Sequence, residues 1–446
     1  MQSEIKVYIP ANNIAERQYI IEVLLGEFLG ISYQLYVDEE IEDYYLNISD
    51  NQLIIRDGLW KNYPEMLSYL CEFAFPKVFF IESNPFTTET DIAVIYGTQE
   101  LEITSEKIVC GIDIFASSFF MLSRWEEYVN QERDQHNRFA AISSIVYKNN
   151  ILQRPLVNEY VDMLWNMFVY LGYVGCRKAR KFELVLTHDI DWMSCHLNPC
   201  MEFARDIIKK KNFELAFSRI PFFFRNYVDT YDFLMTESEK VDLKSHFYFM
   251  AADPKSSIYN TPFYLNTKRF RRLINEIRSR DHIIGFHPGY TTYSNEENWI
   301  SEKRKLENIL GIEVLEGRQH YLRMEVVKTL SIWEKQGMRV DSTLGYADRD
   351  GFRCGTGDCF TLFDFLNRKK MRLKESPLIV MDGTLKTYQT ISLTDVSKKL
   401  NYYMEVGKRY GMPITFLFHN SSFDIWDWKG WKNVYKECLK NYSELH

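Results

Sequence analysis

From residue 182 onward, short apolar segments alternate with longer segments of helical pattern. The candidate β-strands lie at 182–186, 246–250, 282–286, 339–341, 378–381 and 415–418, and most of them are apolar. Helical patterns lie between them, at 267–280 and 325–336 for example. This alternation favours parallel strands connected by helical crossovers. Residues 182–446 are also numerous enough to form a (β/α) barrel.

The residues before this region predict a separate, smaller α/β or α+β domain. Apolar segments at 5–10, 31–37 and 53–55 predict strands. Helical spacing of apolar residues predicts helices over 16–29, 63–75, 113–130 and 156–172. The charged run at 177–181 then marks a boundary. We therefore expect an N-terminal domain over residues 1–176 and a barrel domain over residues 177–446.

Charge and hydropathy exclude some classes of function. The formal net charge of the chain is -7, whereas a nucleic-acid-binding surface usually has an excess of basic residues. The first residues lack the basic and apolar segments of an export signal. No stretch approaches the ~18 apolar residues of a membrane-spanning helix. We therefore expect a cytoplasmic protein with no nucleic-acid partner and no membrane span; the sequence predicts no oligomeric state.

Two aspartates separated by one residue follow the strand predicted at 182–186. They are Asp189 and Asp191, within the segment 187–192. In a barrel the carboxyl ends of the strands carry the chemistry. One carboxylate can bind a divalent metal there, and the other can take a proton from water. The alternative is a helix N-cap, a position that aspartate also favours.

Three further segments place histidine or arginine beside predicted strands. His287 precedes a Pro-Gly turn, which leaves its imidazole able to coordinate a metal. Arg318 and His320 lie in the segment 317–323. His419 ends the apolar strand predicted at 415–418, where it can protonate a leaving group. The order of these segments along one strand–helix pattern favours a shared site.

With these motifs, residues 180–445 resemble the polysaccharide deacetylases, the NodB-homology carbohydrate esterases. The resemblance implies a distorted (β/α) barrel, usually of seven strands, and a divalent ion of the zinc type. It also implies a hydrolase that removes an N- or O-acetyl group from a carbohydrate. Asp189 then matches the catalytic base, and Asp191 and His287 match metal ligands. Arg318 matches the arginine that orients the base, and His419 matches the general acid.

The sequence departs from that family at one metal ligand. Most relatives have a second histidine four residues after the first, and Thr291 occupies that position here. His320 is the favoured third ligand. The Thr291 hydroxyl and an additional water molecule are the alternatives.

The whole chain also resembles a bacterial subgroup of this family in which an uncharacterised domain precedes the barrel. The resemblance lies in the segments 17–30, 113–116, 125–128, 136–139, 341–347 and 351–356. Aromatic side chains near the motifs are candidates to bind the sugar, namely Trp192, Tyr290 and Tyr346. For each of them a place in the hydrophobic core is the alternative.

Two functions are open at this stage. The first is a carbohydrate deacetylase whose partner is an acetylated sugar or polysaccharide precursor. The second is an inactive sugar-binding or scaffolding protein derived from the same fold, which the missing histidine would favour. A glycoside hydrolase fits less well, because Asp189 and Asp191 are too close in sequence to flank a glycosidic bond.

Overall fold

The structure is a computed structural model. It describes residues 5–193, 199–209, 211–218, 220, 228–261, 265–423 and 426–446. The strands are β1 Ile5–Pro10, β2 Tyr33–Asp38, β3 Tyr44–Ile48, β4 Asn51–Ile55, β5 Phe79–Glu82, β6 Asp91–Val94, β7 Gly97–Ile103, β8 Lys107–Ile112, β9 Glu183–Ile190, β10 Ser245–Phe249, β11 Ile283–Phe286, β12 Glu316–Gly317, β13 Val340–Asp341, β14 Phe360–Asp364, β15 Lys369–Glu375, β16 Leu378–Met381 and β17 Pro413–Leu417.

Helices connect most of the parallel strands. They are α1 Ile14–Ile21, α2 Ile114–Ser123, α3 Glu126–Val129, α4 Ile145–Lys148, α5 Leu156–Tyr170, α6 Pro199–Ile208, α7 Phe213–Ser218, α8 Tyr231–Glu239, α9 Lys268–Ser279, α10 Glu296–Leu310, α11 Lys328–Lys335, α12 Leu393–Tyr410 and α13 Trp431–Leu445. A π-helical segment, Glu22–Leu29, continues α1, and another, Thr384–Tyr388, follows β16. No described helix combines the length and apolar character needed to span a membrane.

The first part of the chain forms a six-stranded mixed sheet with the order β2-β1-β3-β4-β8-β7. The predicted strands at 5–10, 31–37 and 53–55 correspond to β1, β2 and β4. The helix predicted over 63–75 is wrong: turns, bends and a short 3-10 helix, Glu72–Ala74, occupy most of the segment, and Leu67 has a left-handed φ of 60°. The helix predicted over 113–130 ends early, because Arg124 is also left-handed with φ 55°.

The second part forms a curled sheet with the order β14-β15-β13-β12-β11-β10-β9-β17-β16. It has nine strands instead of about seven, and β14 is antiparallel to β15 whereas the other pairs are parallel. The β14–β15 hairpin adds an edge strand. Only Ser376 and Pro377 separate β15, which pairs with β13, from β16, which pairs with β17. This almost continuous segment therefore links the two sides of the curled sheet.

The two parts of the chain pack against each other through a common core. The Tyr19 ring of the first part stacks on Phe363 of β14 with ring centroids 4.6 Å apart, and its hydroxyl donates to the Thr361 carbonyl. Glu127 accepts hydrogen bonds from Arg353 and from Arg124. Burial raises the pKa of Glu127, but the two arginines outweigh it and hold that pKa below its usual range. The domain boundary at residues 176 and 177 stays a prediction.

We expect Glu127→Ala to destabilise the protein by about 3–5 kcal/mol, because it leaves the buried Arg353 guanidinium without a carboxylate and removes one of the two carboxylates that pair with Arg124. The side chains of Glu127 and Arg353 are only 1% and 3% exposed. Glu100→Ala is the matched control, since Glu100 pairs with Arg56 where both side chains are about a third exposed; it should cost about 0–1 kcal/mol. Urea denaturation followed by tryptophan fluorescence measures both. Equal losses in the two variants would contradict the expected role of the buried pair.

Candidate active site

A cavity of about 160 Å³ lies at the carboxyl ends of β9, β11, β12 and β17. The strands that end there are largely buried, which fixes the direction of the side chains that follow them. The lining includes six charged or ionisable side chains, those of Arg138, Asp189, Asp191, His287, His320 and His419. Five of the six predicted catalytic and metal-binding residues thus line one cavity, and the sixth, Arg318, lies directly behind it.

Asp191, His287 and His320 form a compact group of potential metal ligands. Asp191 Oδ1 lies 3.3 Å from His287 Nε2 and 3.4 Å from His320 Nδ1. The two imidazole nitrogens are 2.9 Å apart. Tetrahedral zinc sites have Zn–N bonds of about 2.0–2.1 Å, so their ligand atoms are roughly 3.3 Å apart. The three atoms therefore have the spacing that a small divalent cation requires.

The opposite nitrogen of each imidazole is held by a backbone carbonyl. His287 Nδ1 lies 2.7 Å from the Arg318 carbonyl, and His320 Nε2 lies 3.1 Å from the Tyr259 carbonyl. A ring nitrogen that donates to a carbonyl leaves the other nitrogen with a free lone pair, and this is how ligand histidines are usually oriented. Both lone pairs then point towards Asp191.

The electrostatics of Asp191 also fit a cation. Its Oδ1 is buried and has no hydrogen-bond partner of good geometry among the described residues. Burial raises the pKa of Asp191, but His320, His287 and His419 outweigh that effect and hold the pKa well below its usual range. The residues present therefore fit a metal ion. Thr291, the alternative third ligand, lies just before the helical turn Thr292–Ser294 and is absent from the described cavity lining.

Asp189 lies beside this group and is held by Arg318. The Arg318 guanidinium donates from Nη1 to Asp189 Oδ1 over 2.9 Å and to the Thr187 hydroxyl over 2.9 Å. Its remaining donors bond to the carbonyl and the hydroxyl of Ser342. Because Arg318 is fully buried, these bonds fix its plane and hence the position of the carboxylate. The other oxygen, Asp189 Oδ2, is 3.8 Å from His287 Nδ1.

His419 faces the ligand group from the end of β17. Its Nε2 is 3.7 Å from Asp191 Oδ2, and its Nδ1 is 2.7 Å from Asp382 Oδ1. The backbone N–H of His419 donates to the other oxygen of Asp382 over 2.8 Å. Burial lowers the pKa of His419, but Asp382 and the two other aspartates raise it to about 10. The imidazole is therefore protonated at neutral pH and aims one N–H into the cavity.

Sequence reasoning missed Asp382. The signal was present, because Asp382 directly follows the strand predicted at 378–381 in the same way that Asp189 and His419 end their strands. An aspartate before glycine also has the composition of an ordinary turn. Only the parallel pairing of β16 with β17 brings it to His419.

The three predicted sugar-binding aromatics lie outside the described cavity lining. Tyr346 is 3% exposed, and its ring lies under the Arg353 guanidinium, so it belongs to the core. Tyr290 is sandwiched between Arg323 and Tyr259. The carbonyl of Trp192 accepts a hydrogen bond from Asn420.

Tyr321 and Tyr388 are the aromatic residues of the cavity. Neither was predicted: Tyr321 lies in the turn after His320 and Tyr388 ends the π-helical segment Thr384–Tyr388, and neither position directly follows a predicted strand. Tyr388 is 40% exposed, so its ring is open to a ligand.

One known family matches the first part of the chain. Residues 5–173 match a family described as a family of unknown function, DUF7033. No curated protein matches the chain.

Two solved structures share a distant likeness. One is a candidate polysaccharide deacetylase from Mycobacterium smegmatis, with 13% identity, a TM-score of 0.39, and coverage of 60% of this chain and 86% of the other. The second is a mutant of a CE4 family pseudoenzyme with restored enzymatic activity, with 12% identity, a TM-score of 0.24, and coverage of 53% and 66%. Because these TM-scores and identities are low, a functional proposal has to rest on the geometry of this chain's own residues.

Proposed function

We propose that the chain is a metal-dependent hydrolase that removes an acetyl group from a carbohydrate. The observation that supports the proposal is that three groups of side chains meet at one cavity. A potential metal site of one carboxylate and two imidazoles lies between a carboxylate held by arginine and an imidazolium held by aspartate. A hydrolase of this kind needs a ligand set, a base and an acid, and these residues would supply all three.

Zinc is the proposed metal, because two neutral imidazoles and a carboxylate are a common ligand set of catalytic zinc sites. Asp191, His287 and His320 would hold it. When bound, the ion would polarise the acetyl carbonyl and lower the pKa of a water molecule in the cavity.

Asp189 is proposed as the base. Its Oδ1 is engaged by Arg318, Oδ2 lies 3.8 Å from His287 Nδ1, and the residue lines the cavity. A water molecule between this oxygen and the acetyl carbon would transfer a proton to the carboxylate as it attacks. The fixed Arg318 plane keeps Asp189 oriented without a cost in side-chain entropy at the moment of reaction.

His419 is proposed as the acid. After attack, the leaving nitrogen or oxygen of the sugar needs a proton, and the raised pKa of His419 keeps that proton available at neutral pH. Asp382 fixes the tautomer and direction of the ring through Nδ1. The geometry suits an amide and an ester leaving group equally, so both bond types belong to the proposal.

The test is acetate release from a panel of N- and O-acetylated sugars and their nucleotide-linked forms. We expect the zinc-loaded protein to release acetate from at least one of them, and chelator-treated protein to release none until zinc is restored. Such precursors are the form of substrate that the predicted cytoplasmic location would offer. If loaded protein binds one of the sugars but releases no acetate, the inactive sugar-binding alternative replaces the enzyme.

A further inference from the structure

One segment of the first part of the chain, Asp134–Arg138, reaches the wall of the cavity. The Arg138 guanidinium donates from Nε to Asp134 over 2.8 Å. Its Nη1 donates to the Tyr321 carbonyl over 3.1 Å, and its Nη2 donates to the Tyr388 hydroxyl over 2.9 Å. The Arg138 side chain is only 7% exposed, so its guanidinium is largely shielded from bulk water.

The turn that Arg138 contacts directly follows a proposed metal ligand. Tyr321 and Leu322, the two residues after His320, both have left-handed φ values, of 62° and 53°. This conformation is unfavourable for residues that carry a Cβ, and it persists where surrounding contacts enforce it. The hydrogen bond from Arg138 to the Tyr321 carbonyl is one of those contacts.

His136 contacts the same region from a second side. Its carbonyl accepts a hydrogen bond from Arg323 Nε over 2.7 Å, immediately after the strained turn. Its ring lies 5.3 Å from that of Tyr259, centroid to centroid, and its Nδ1 is 3.0 Å from the Tyr290 hydroxyl. Tyr259 is the residue whose carbonyl orients His320. The segment therefore touches the residues on both sides of this imidazole.

We propose that Asp134–Arg138 is a clamp that positions His320, so that the first part of the chain completes the metal site of the barrel. The inference rests on the proposed function, because it assumes that His320 binds the metal. Arg138 is a positioning residue in this scheme: it acts on the ligand through the Tyr321 turn and does not touch the ion. The residues matched to the family of unknown function would thereby contribute to the barrel's chemistry.

Cobalt(II) binding to the full-length protein tests the clamp, because its visible absorption reports both affinity and ligand geometry. Arg138→Met keeps the aliphatic stem but removes the donors. Loss of a group that orients a metal ligand typically weakens metal binding by about 10–100-fold, and we expect a loss in that range with an altered spectrum. Arg138→Lys retains one donor towards Tyr321 and should recover part of the affinity.

Arg154→Met is the matched control. Arg154 also belongs to the first part of the chain and pairs with two carboxylates, those of Asp91 and Glu159, but it is absent from the described cavity lining. This variant should bind cobalt with the affinity and spectrum of the wild type, even if it unfolds at lower temperature. If Arg138→Met does not fold, His136→Ala provides the test: it removes the ring that packs on Tyr259, and we expect weaker cobalt binding.

The outcomes separate the clamp from the proposed function. Arg138→Met, or His136→Ala in its place, with the affinity and spectrum of Arg154→Met would overturn the clamp while leaving a metal-dependent enzyme intact. A wild-type protein that binds no cobalt would overturn both. Weakened binding in Arg138→Met with recovery in Arg138→Lys would support the clamp even before a substrate is known.

Discussion

Asp191→Asn is expected to lose bound metal and acetate release together, whereas Asp189→Asn is expected to keep the metal and lose about 10²–10⁴-fold in turnover. The reason is the different surroundings of the two carboxylates. Asp191 offers its free oxygen to two imidazole nitrogens. Asp189 instead accepts from Arg318, and an asparagine carbonyl can accept that bond as well.

Metal analysis of the purified variants and acetate release under saturating zinc measure the two effects. Asp364→Asn is the matched control. Asp364 is also a buried aspartate at the end of a strand, but its carboxylate accepts hydrogen bonds from the backbone and side-chain nitrogens of Asn367. It should retain both metal and turnover. If Asp189→Asn also loses its metal, then Asp189 is a ligand and the assignment of the base fails.

Asp382→Asn is expected to shift the alkaline limb of the pH–rate profile to lower pH. Burial lowers the pKa of His419, and the Asp382 carboxylate is the largest of the groups that raise it to about 10. A raised pKa keeps the imidazole protonated, and therefore able to act as an acid, until the pH rises through that value. Without the Asp382 charge the proton is lost at lower pH, so the variant should be most impaired under alkaline conditions.

His419→Gln separates this effect from loss of the acid itself. The variant should lose about 10²–10⁴-fold at every pH, because no proton donor remains at that position. Rates of acetate release between pH 5 and 10 measure both variants. An alkaline limb at the wild-type position in Asp382→Asn would show that the proton donor is a group other than His419.

Most residues of the candidate site could be predicted from the sequence because they follow the ends of strands. Asp191, His287 and His419 follow apolar segments that form β9, β11 and β17, and parallel pairing brings these ends to one edge of the sheet. His320 was favoured as the third ligand and does lie with the others. The chemical roles of these residues stay predictions.

What could not be predicted depends on contacts between distant segments. Asp382 is separated from His419 by 37 residues, and Arg138 comes from the other part of the chain. The helix expected over 63–75 does not form, and the buried Tyr69 ring instead packs from a turn against Phe119 and Trp125. The division of one segment into β15 and β16 at Ser376 and Pro377 could not be predicted either, because it depends on pairing with two different strands, β13 and β17.

The most direct measurement is anomalous diffraction at the zinc absorption edge, from crystals of the full-length protein grown with zinc. A single strong peak within bonding distance of Asp191 Oδ1, His287 Nε2 and His320 Nδ1 is expected, with Asp189 Oδ2 and His419 Nε2 facing it unbonded. A peak bonded to Asp189 or His419 would reassign the base or the acid. Absence of zinc from this cavity at saturating concentration would contradict a metal-dependent hydrolase.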